Sequence, residues 1–168
     1  MLLINCSNRE ENCYKILNDI KSDNDKLLSL SGKKMDFCLG CNKCQNNLDD
    51  YCVLNDYITE TVYKEIIAED NIVLASPMYM SNINAILKNL LDRFLPFYLH
   101  KSIANKTIYL IMTGQGSKEV NKEEIDSVIN YFEGISEWVS FKFVFLDYFE
   151  DNSDSYNTQI ESIKNKLR

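Results

Sequence analysis

Runs of five or six mostly apolar residues alternate along this chain with longer stretches in which apolar residues return every three or four positions. The short runs, at residues 2–6, 26–30, 72–76, 107–112 and 141–146, read as strands, and the longer stretches, at 10–22, 56–69, 82–96, 119–138 and 154–167, read as amphipathic helices. The third helix is the clearest. Its Ile83, Ile86, Leu87, Leu90, Leu91 and Phe94 fall at i, i+3, i+4, i+7, i+8 and i+11, on one face. The fourth repeats the pattern with Ile125, Val128, Ile129, Phe132 and Ile135. Five strand–helix units in strict alternation predict an α/β domain with a doubly wound parallel sheet, because parallel neighbours need crossover connections and helices must cover both faces. No repeat, low-complexity tract or linker interrupts the pattern, and Pro77 and Pro96 are the only prolines. Residues 1–168 are therefore expected to form one domain.

Composition narrows the partners. A net charge of −7, with lysines scattered among Asp and Glu, argues against nucleic acid and against an anionic membrane surface. The apolar amino terminus lacks a basic leader and reads as a strand, and no apolar run reaches spanning length. The expectation is a soluble, cytoplasmic protein.

Four of the six cysteines crowd into fifteen residues, as Cys38-Leu39-Gly40-Cys41-Asn42-Lys43-Cys44 and, after seven residues, Cys52. Thiolates two residues apart can converge on one centre, and an uninterrupted C-x-x-C-x-x-C run is closer to iron–sulfur ligation than to the separated pairs of a zinc module. Gly40 permits a sharp turn between the first two. Burial as small apolar groups is the weaker reading, since Asn42, Lys43, Gln45, Asn46, Asn47, Asp49 and Asp50 give the segment no apolar period. A disulfide requires an oxidising compartment, to which nothing in the sequence points. A metal or cluster on residues 37–52 is thus favoured over bare thiols.

In a doubly wound sheet, ligands sit beyond the carboxyl ends of the strands where the strand order reverses, so the loops after the first, third and fourth strands carry the candidate site. The run SPMYMSNINAILKNLLDRF, at 76–94, resembles the S-P-[VI]-Y…LK…[IL]-D-R signature of NADPH-dependent FMN reductases. The cysteine run ahead of it resembles the iron–sulfur flavoprotein branch of that family, and Asn55-Asp56 resembles the acidic pair that follows the last cysteine there. The resemblance covers roughly residues 1–120, with both motifs in the right order. It implies a flavodoxin-like sheet of order 2-1-3-4-5 with residues 2–6 central, FMN, a four-iron, four-sulfur cluster on Cys38, Cys41, Cys44 and Cys52, NAD(P)H as co-substrate, and assembly into dimers or tetramers.

Flavin is a flat apolar ring with a polar edge, which suits an apolar wall backed by fixed main-chain donors. By resemblance, Pro77, Met78, Tyr79, Met80, Ser81, Asn82 and Ile83 line the ring, and Thr113, Gly114, Gln115 and Gly116 match the family's T-G-G-G-like loop. The family's phosphate turn, S-x-R-x-x-[SG]-x-[ST], falls on Ser7, Arg9, Asn12 and Tyr14, of which the first two match. A phosphate there would be held by helix-terminal amides and the Arg9 charge. Ser7-Asn8-Arg9-Glu10 also fits a capping box, Glu10 and Glu11 repel a phosphate, and Tyr14 adds bulk. Cys6 and Cys13 read as packing residues, although a thiol in a first helical turn is open to a lowered pKa. His100 has no nucleophile signature around it and reads as a surface or satisfied residue. Phe94, Pro96, Phe97, Tyr98 and Leu99 form an aromatic cluster suited to core or to a subunit interface, and 150–154 reads as a solvated acidic loop.

The functional expectation is a flavoprotein oxidoreductase that exchanges electrons with a small-molecule or protein partner, with no dedicated acid–base residue. A plain NAD(P)H-dependent FMN or quinone reductase whose cysteines hold zinc or nothing stands beside it, as does a non-enzymatic redox or metal sensor on the same scaffold.

Overall fold

The computed structural model describes residues 1–45, 51–151 and 154–168. Residues 46–50 of the cysteine segment and 152–153 of the acidic stretch lie outside the described residues.

Among the described residues six strands form, β1 (Leu2–Asn5), β2 (Lys26–Ser29), β3 (Asn71–Tyr79), β4 (Asn82–Ile83), β5 (Thr107–Gly114) and β6 (Lys142–Glu150). The parallel strands run in the order β2-β1-β3-β5-β6, and the short β4 returns antiparallel along β3. With β4 set aside this is the expected 2-1-3-4-5 order, with β1 flanked by β2 and β3. β1 is central because all four of its side chains are buried, a burden only an interior strand carries.

Strand periodicity divides the core into two layers. Leu2, Ile4, Ile72 and Leu74 point to one face, where they meet α2 (Tyr63–Ala68), α3 (Ala85–Asp92), α4 (Leu95–His100) and α5 (Lys122–Val139). Leu3, Val73 and Ala75 point to the other, against α1 (Asn12–Ile20) and α6 (Tyr156–Leu167). Cys6 packs in the first layer and Cys13 in the second, each almost fully buried.

The helix expected at 82–96 is three elements. Asn82 and Ile83 pair with Tyr79 and Met78, so the apolar period begins inside a hairpin rather than a helix. Helix α3 starts only at Ala85, capped by Asn84, whose side chain accepts from the Leu87 amide at 3.0 Å. It stops at Asp92, and α4 begins with Pro96 in its first turn, where a missing N–H costs nothing. The stretch at 56–69 is likewise divided, opening with a wide π turn over Ile58–Val62 before α2. Of the aromatic cluster, Phe94, Pro96 and Phe97 are core, whereas Tyr98 and Leu99 are exposed.

Candidate functional site

The carboxyl ends of β1, β3 and β5 open onto a cleft of about 540 Å³, within the usual range for a cofactor site. It is lined from the first loop by Ser7, Arg9, Glu11, Asn12 and Cys13, from the second by residues 77–81, and from the third by Thr113, Gly114 and Gln115, with Asn121 and Asp151 completing the rim. The loops after strands β1, β3 and β5, separated by 32 residues or more in sequence, therefore share one wall. Tyr14, Asn82, Ile83 and Gly116, expected at the site, do not line it. Tyr14 follows Cys13 on α1 and turns away from the cleft, and the Asn82 side chain accepts from the next amide in β4, at 2.8 Å.

The first loop is braced from below. Asn5 is fully buried and donates to the Arg9 carbonyl at 3.1 Å and to the Ser29 hydroxyl at 3.0 Å, while the Ser7 hydroxyl accepts from the Arg9 amide at 3.2 Å. These bonds replace the capping box. Helix α1 starts at Asn12, with Glu11 at its N-cap making no side-chain capping bond, so its first amides are left for another acceptor. Ser7 is too far upstream to reach them, and Glu10 is exposed. Arg9 holds its charge against the Tyr79 side chain and then Glu11, whose carboxylate lies 3.2 Å away. Asp151 accepts from Asn12 at 2.6 Å. This end of the cleft thus carries one guanidinium beside two carboxylates. Cys13, 3.4 Å from the Thr113 hydroxyl, joins the first and third loops; burial pushes its thiol up to about 11, so the lowering that a first-turn position allows does not occur.

The second loop is a tight hairpin. Met80 and Ser81 adopt φ of 49° and 62°, the left-handed pair a two-residue turn demands, although neither is glycine. Met80 is 98% exposed at its tip.

The third loop is shaped by contacts the sequence does not display. The Tyr148 hydroxyl lies 3.1 Å from the Gln115 carbonyl and 3.2 Å from that of Gly116, and accepts from Asn121 at 3.0 Å. Asn121 also donates to the Gln115 carbonyl at 2.8 Å. A Cβ on Gly114 would sit 2.8 Å from the Tyr148 hydroxyl, and Gly116 holds φ at +80°. Both glycines are therefore required by local geometry.

A second, smaller pocket of about 40 Å³ gathers Cys38, Cys41, Cys44 and Cys52 with Val53, Leu54, Tyr63, Leu95, Pro96 and Arg93. All four thiols are free; Cys38 and Cys41 are exposed, and Cys44 and Cys52 are half-buried. The Cys44 thiol is pushed up by burial and then by Cys52, Cys41 and Cys38. Among the described residues no three ligating side chains are gathered closely enough to hold a single metal ion. An all-thiolate set spread around one pocket suits a polynuclear cluster, in which each sulfur binds a different iron, better than one tetrahedral ion.

Below this pocket Asp56 accepts from the amides of Asp36 at 2.8 Å and Ile58 at 3.1 Å, and pairs with Arg93, both side chains being essentially inaccessible. Arg93 Nη1 also donates to the Asp36 carbonyl at 3.2 Å. His100 lies outside both sites; its ring packs 4.8 Å from Tyr51, and its buried Nε2 has no partner among the described residues.

Residues 1–135 match the NADPH-dependent FMN reductase family. The chain belongs to that family. An iron–sulfur flavoprotein of Methanocaldococcus jannaschii is 29% identical over 107 residues, 64% of this chain and 54% of that protein, so the chain spans about half the length of this curated relative. Two solved structures share the fold: an NADPH-quinone reductase from P. pentosaceus, with a TM-score of 0.70 at 13% identity over 99% of this chain and 95% of that one, and general stress protein 14 from Treponema denticola in complex with FMN, with a TM-score of 0.66 at 15% identity over 99% and 94%. Within an FMN reductase-family framework, Asn5, Asn84, Asn121 and Tyr148 are the residues that sequence reasoning missed. Each acts through a side-chain bond that holds a loop of the cleft or ties two elements, and the only signal available was an amide or phenol near the end of a predicted strand or helix.

Proposed function

We propose that this chain is a flavoprotein oxidoreductase that binds FMN in the cleft beyond β1, β3 and β5 and carries an iron–sulfur cluster on Cys38, Cys41, Cys44 and Cys52. The observation that carries the reading is the convergence of the three loops, at the reversal of strand order, on a cleft of cofactor size. The uncapped start of α1, with Ser7, Arg9 and Asn12, suits a phosphate, and Pro77, Met78 and Tyr79 supply an apolar wall for the ring. Gly114, which lines the cleft, lets the main chain approach the ring edge. Bound there, FMN supplies either hydride or single-electron chemistry, and a cluster supplies single-electron transfer.

The two sites adjoin opposite ends of α3, an eight-residue helix about 12 Å long, so the same short element that follows the cleft hairpin ends at the thiol pocket. The name of the Methanocaldococcus relative supports the cluster. A small-molecule or protein electron donor or acceptor, NAD(P)H among them, would exchange electrons with the flavin at this cleft. The second reading, a cluster-free NAD(P)H-dependent FMN or quinone reductase, is supported by the family match over residues 1–135, which requires no cluster.

Fluorescence titration with FMN and assay of iron and acid-labile sulfide after anaerobic reconstitution, each repeated on Cys44→Ser, test the proposal. Quenching with iron and sulfide in the parent and loss of both elements in the variant support it. Quenching without iron or sulfide selects the simple reductase, and no quenching at all removes the flavin site.

A further inference from the structure

Arg93 is buried to all but 1% of its side-chain surface and lines the same pocket as the four cysteines. One end of its guanidinium is used: Nη1 bonds Asp56 and the Asp36 carbonyl. The other end is not. Nε and Nη2 are buried and have no hydrogen-bond partner among the described residues. Two orphaned donors on a fixed, charged group are costly unless an acceptor arrives, because they have lost water without replacing it. The remaining pocket wall supplies little, being formed by Val53, Leu54, Leu95 and Pro96 together with Tyr63, whose hydroxyl is already donated to the Arg93 carbonyl at 2.7 Å. Asp92 also borders the pocket but is paired with Lys88.

We propose that Arg93 is a positioning residue for the cluster, its free Nε–H and Nη2–H donating to thiolate sulfur in the cysteine pocket. The inference rests on the cluster reading above and deepens it. Asp56 fixes the guanidinium through Nη1, leaving the Nε/Nη2 edge of this pocket-lining residue unused, much as an outer carboxylate orients a ligating histidine. Thiolates are acceptors, and a cluster bound by four of them carries negative charge that donors stabilise, most of all in the reduced state. The Cys52 thiol is already among the groups that act electrostatically on both Arg93 and Tyr63. A lysine at this position would keep the charge opposite Asp56 but has no second edge to present.

The test compares the anaerobically reconstituted full chain with Arg93→Lys. The variant is expected to load iron and sulfide, to release iron to a chelator about tenfold faster than the parent, and to show a more negative midpoint potential in a redox titration followed by electron paramagnetic resonance. Labelling the three arginines with ¹⁵N is expected to give a nitrogen hyperfine coupling to the reduced cluster of the parent, absent in the variant. That coupling is read on the parent, so it decides the matter even if Arg93→Lys fails to fold. An unchanged potential and release rate, or no ¹⁵N coupling in a loaded parent, overturns the role of Arg93 while leaving the cluster reading intact. A parent that quenches FMN but takes up no iron or sulfide overturns both.

Discussion

The side-chain amide of Asn84 donates to the main-chain carbonyl of Cys6 across 2.6 Å, tying the start of α3 to the end of β1. The same side chain caps α3 through Leu87. Asn84→Ala therefore removes a cap and strands a buried carbonyl, an expected loss of about 2–3 kcal/mol. Urea unfolding followed by circular dichroism measures it; a loss under about 0.5 kcal/mol would show that the tie is dispensable.

Gly114 and Tyr148 are coupled by contact. Gly114→Ala is expected to destabilise the protein by about 1–3 kcal/mol, because the new methyl meets the Tyr148 hydroxyl, which is itself held by Asn121 and the 115–116 carbonyls. Tyr148→Phe removes the clashing oxygen, so the double variant should fall short of the summed losses. Strict additivity in a double-mutant cycle argues against the contact.

Glu11 weakens the phosphate end of the cleft on this reading. Glu11→Gln is expected to tighten FMN binding about three- to tenfold at low salt, with the gain shrinking in 1 M salt as exposed charges are screened. Equal affinities in a fluorescence titration at low salt would place the phosphate away from α1.

Asp147 sets part of the acid limb of stability. Burial favours its neutral form, but the Lys118 ammonium at 2.7 Å, the Gln159 amide and the Tyr148 amide outweigh that and hold its pKa below the usual carboxylate range. A carboxyl that ionises more readily when folded stabilises the fold at neutral pH. That contribution drains away as pH falls from about 4, the unfolded value, through the folded pKa. Melting temperatures from pH 7 to pH 3 should fall more steeply for the parent than for Asp147→Asn; parallel curves would count against the assignment.

The parallel sheet was legible because Leu2, Leu3, Ile4 and Ile72, Val73, Leu74 leave no polar position in their runs, a signature of strands buried on both faces. The reach of β3 to Tyr79 was not, since Pro77 interrupts the run. Pro77 stays within the strand because it is the last β3 residue in register with β5, opposite Thr113, and beyond it Met78 and Tyr79 pair with β4 instead. Ile83 satisfied a helical period while serving a hairpin, which no local pattern distinguishes. Arg9 and Ser7 stood out by spacing, yet the capping box failed because Ser7 belongs to a turn built on Asn5. Tyr148 and Asn121 went unnoticed for a different reason. What they do depends on where β6 ends relative to the 113–116 loop, and that is settled by strand register rather than by neighbours in sequence.

The clasp of Asp36, Asp56 and Arg93 closes a loop at the two roots of the cysteine segment through protein groups alone. Doubling such a loop costs only about 0.6 kcal/mol in closure entropy. A redox centre bound there, as proposed, would sit on a closure already made by protein groups, so a change of its ligands would leave the anchoring of the segment to the flavodoxin-like framework in place.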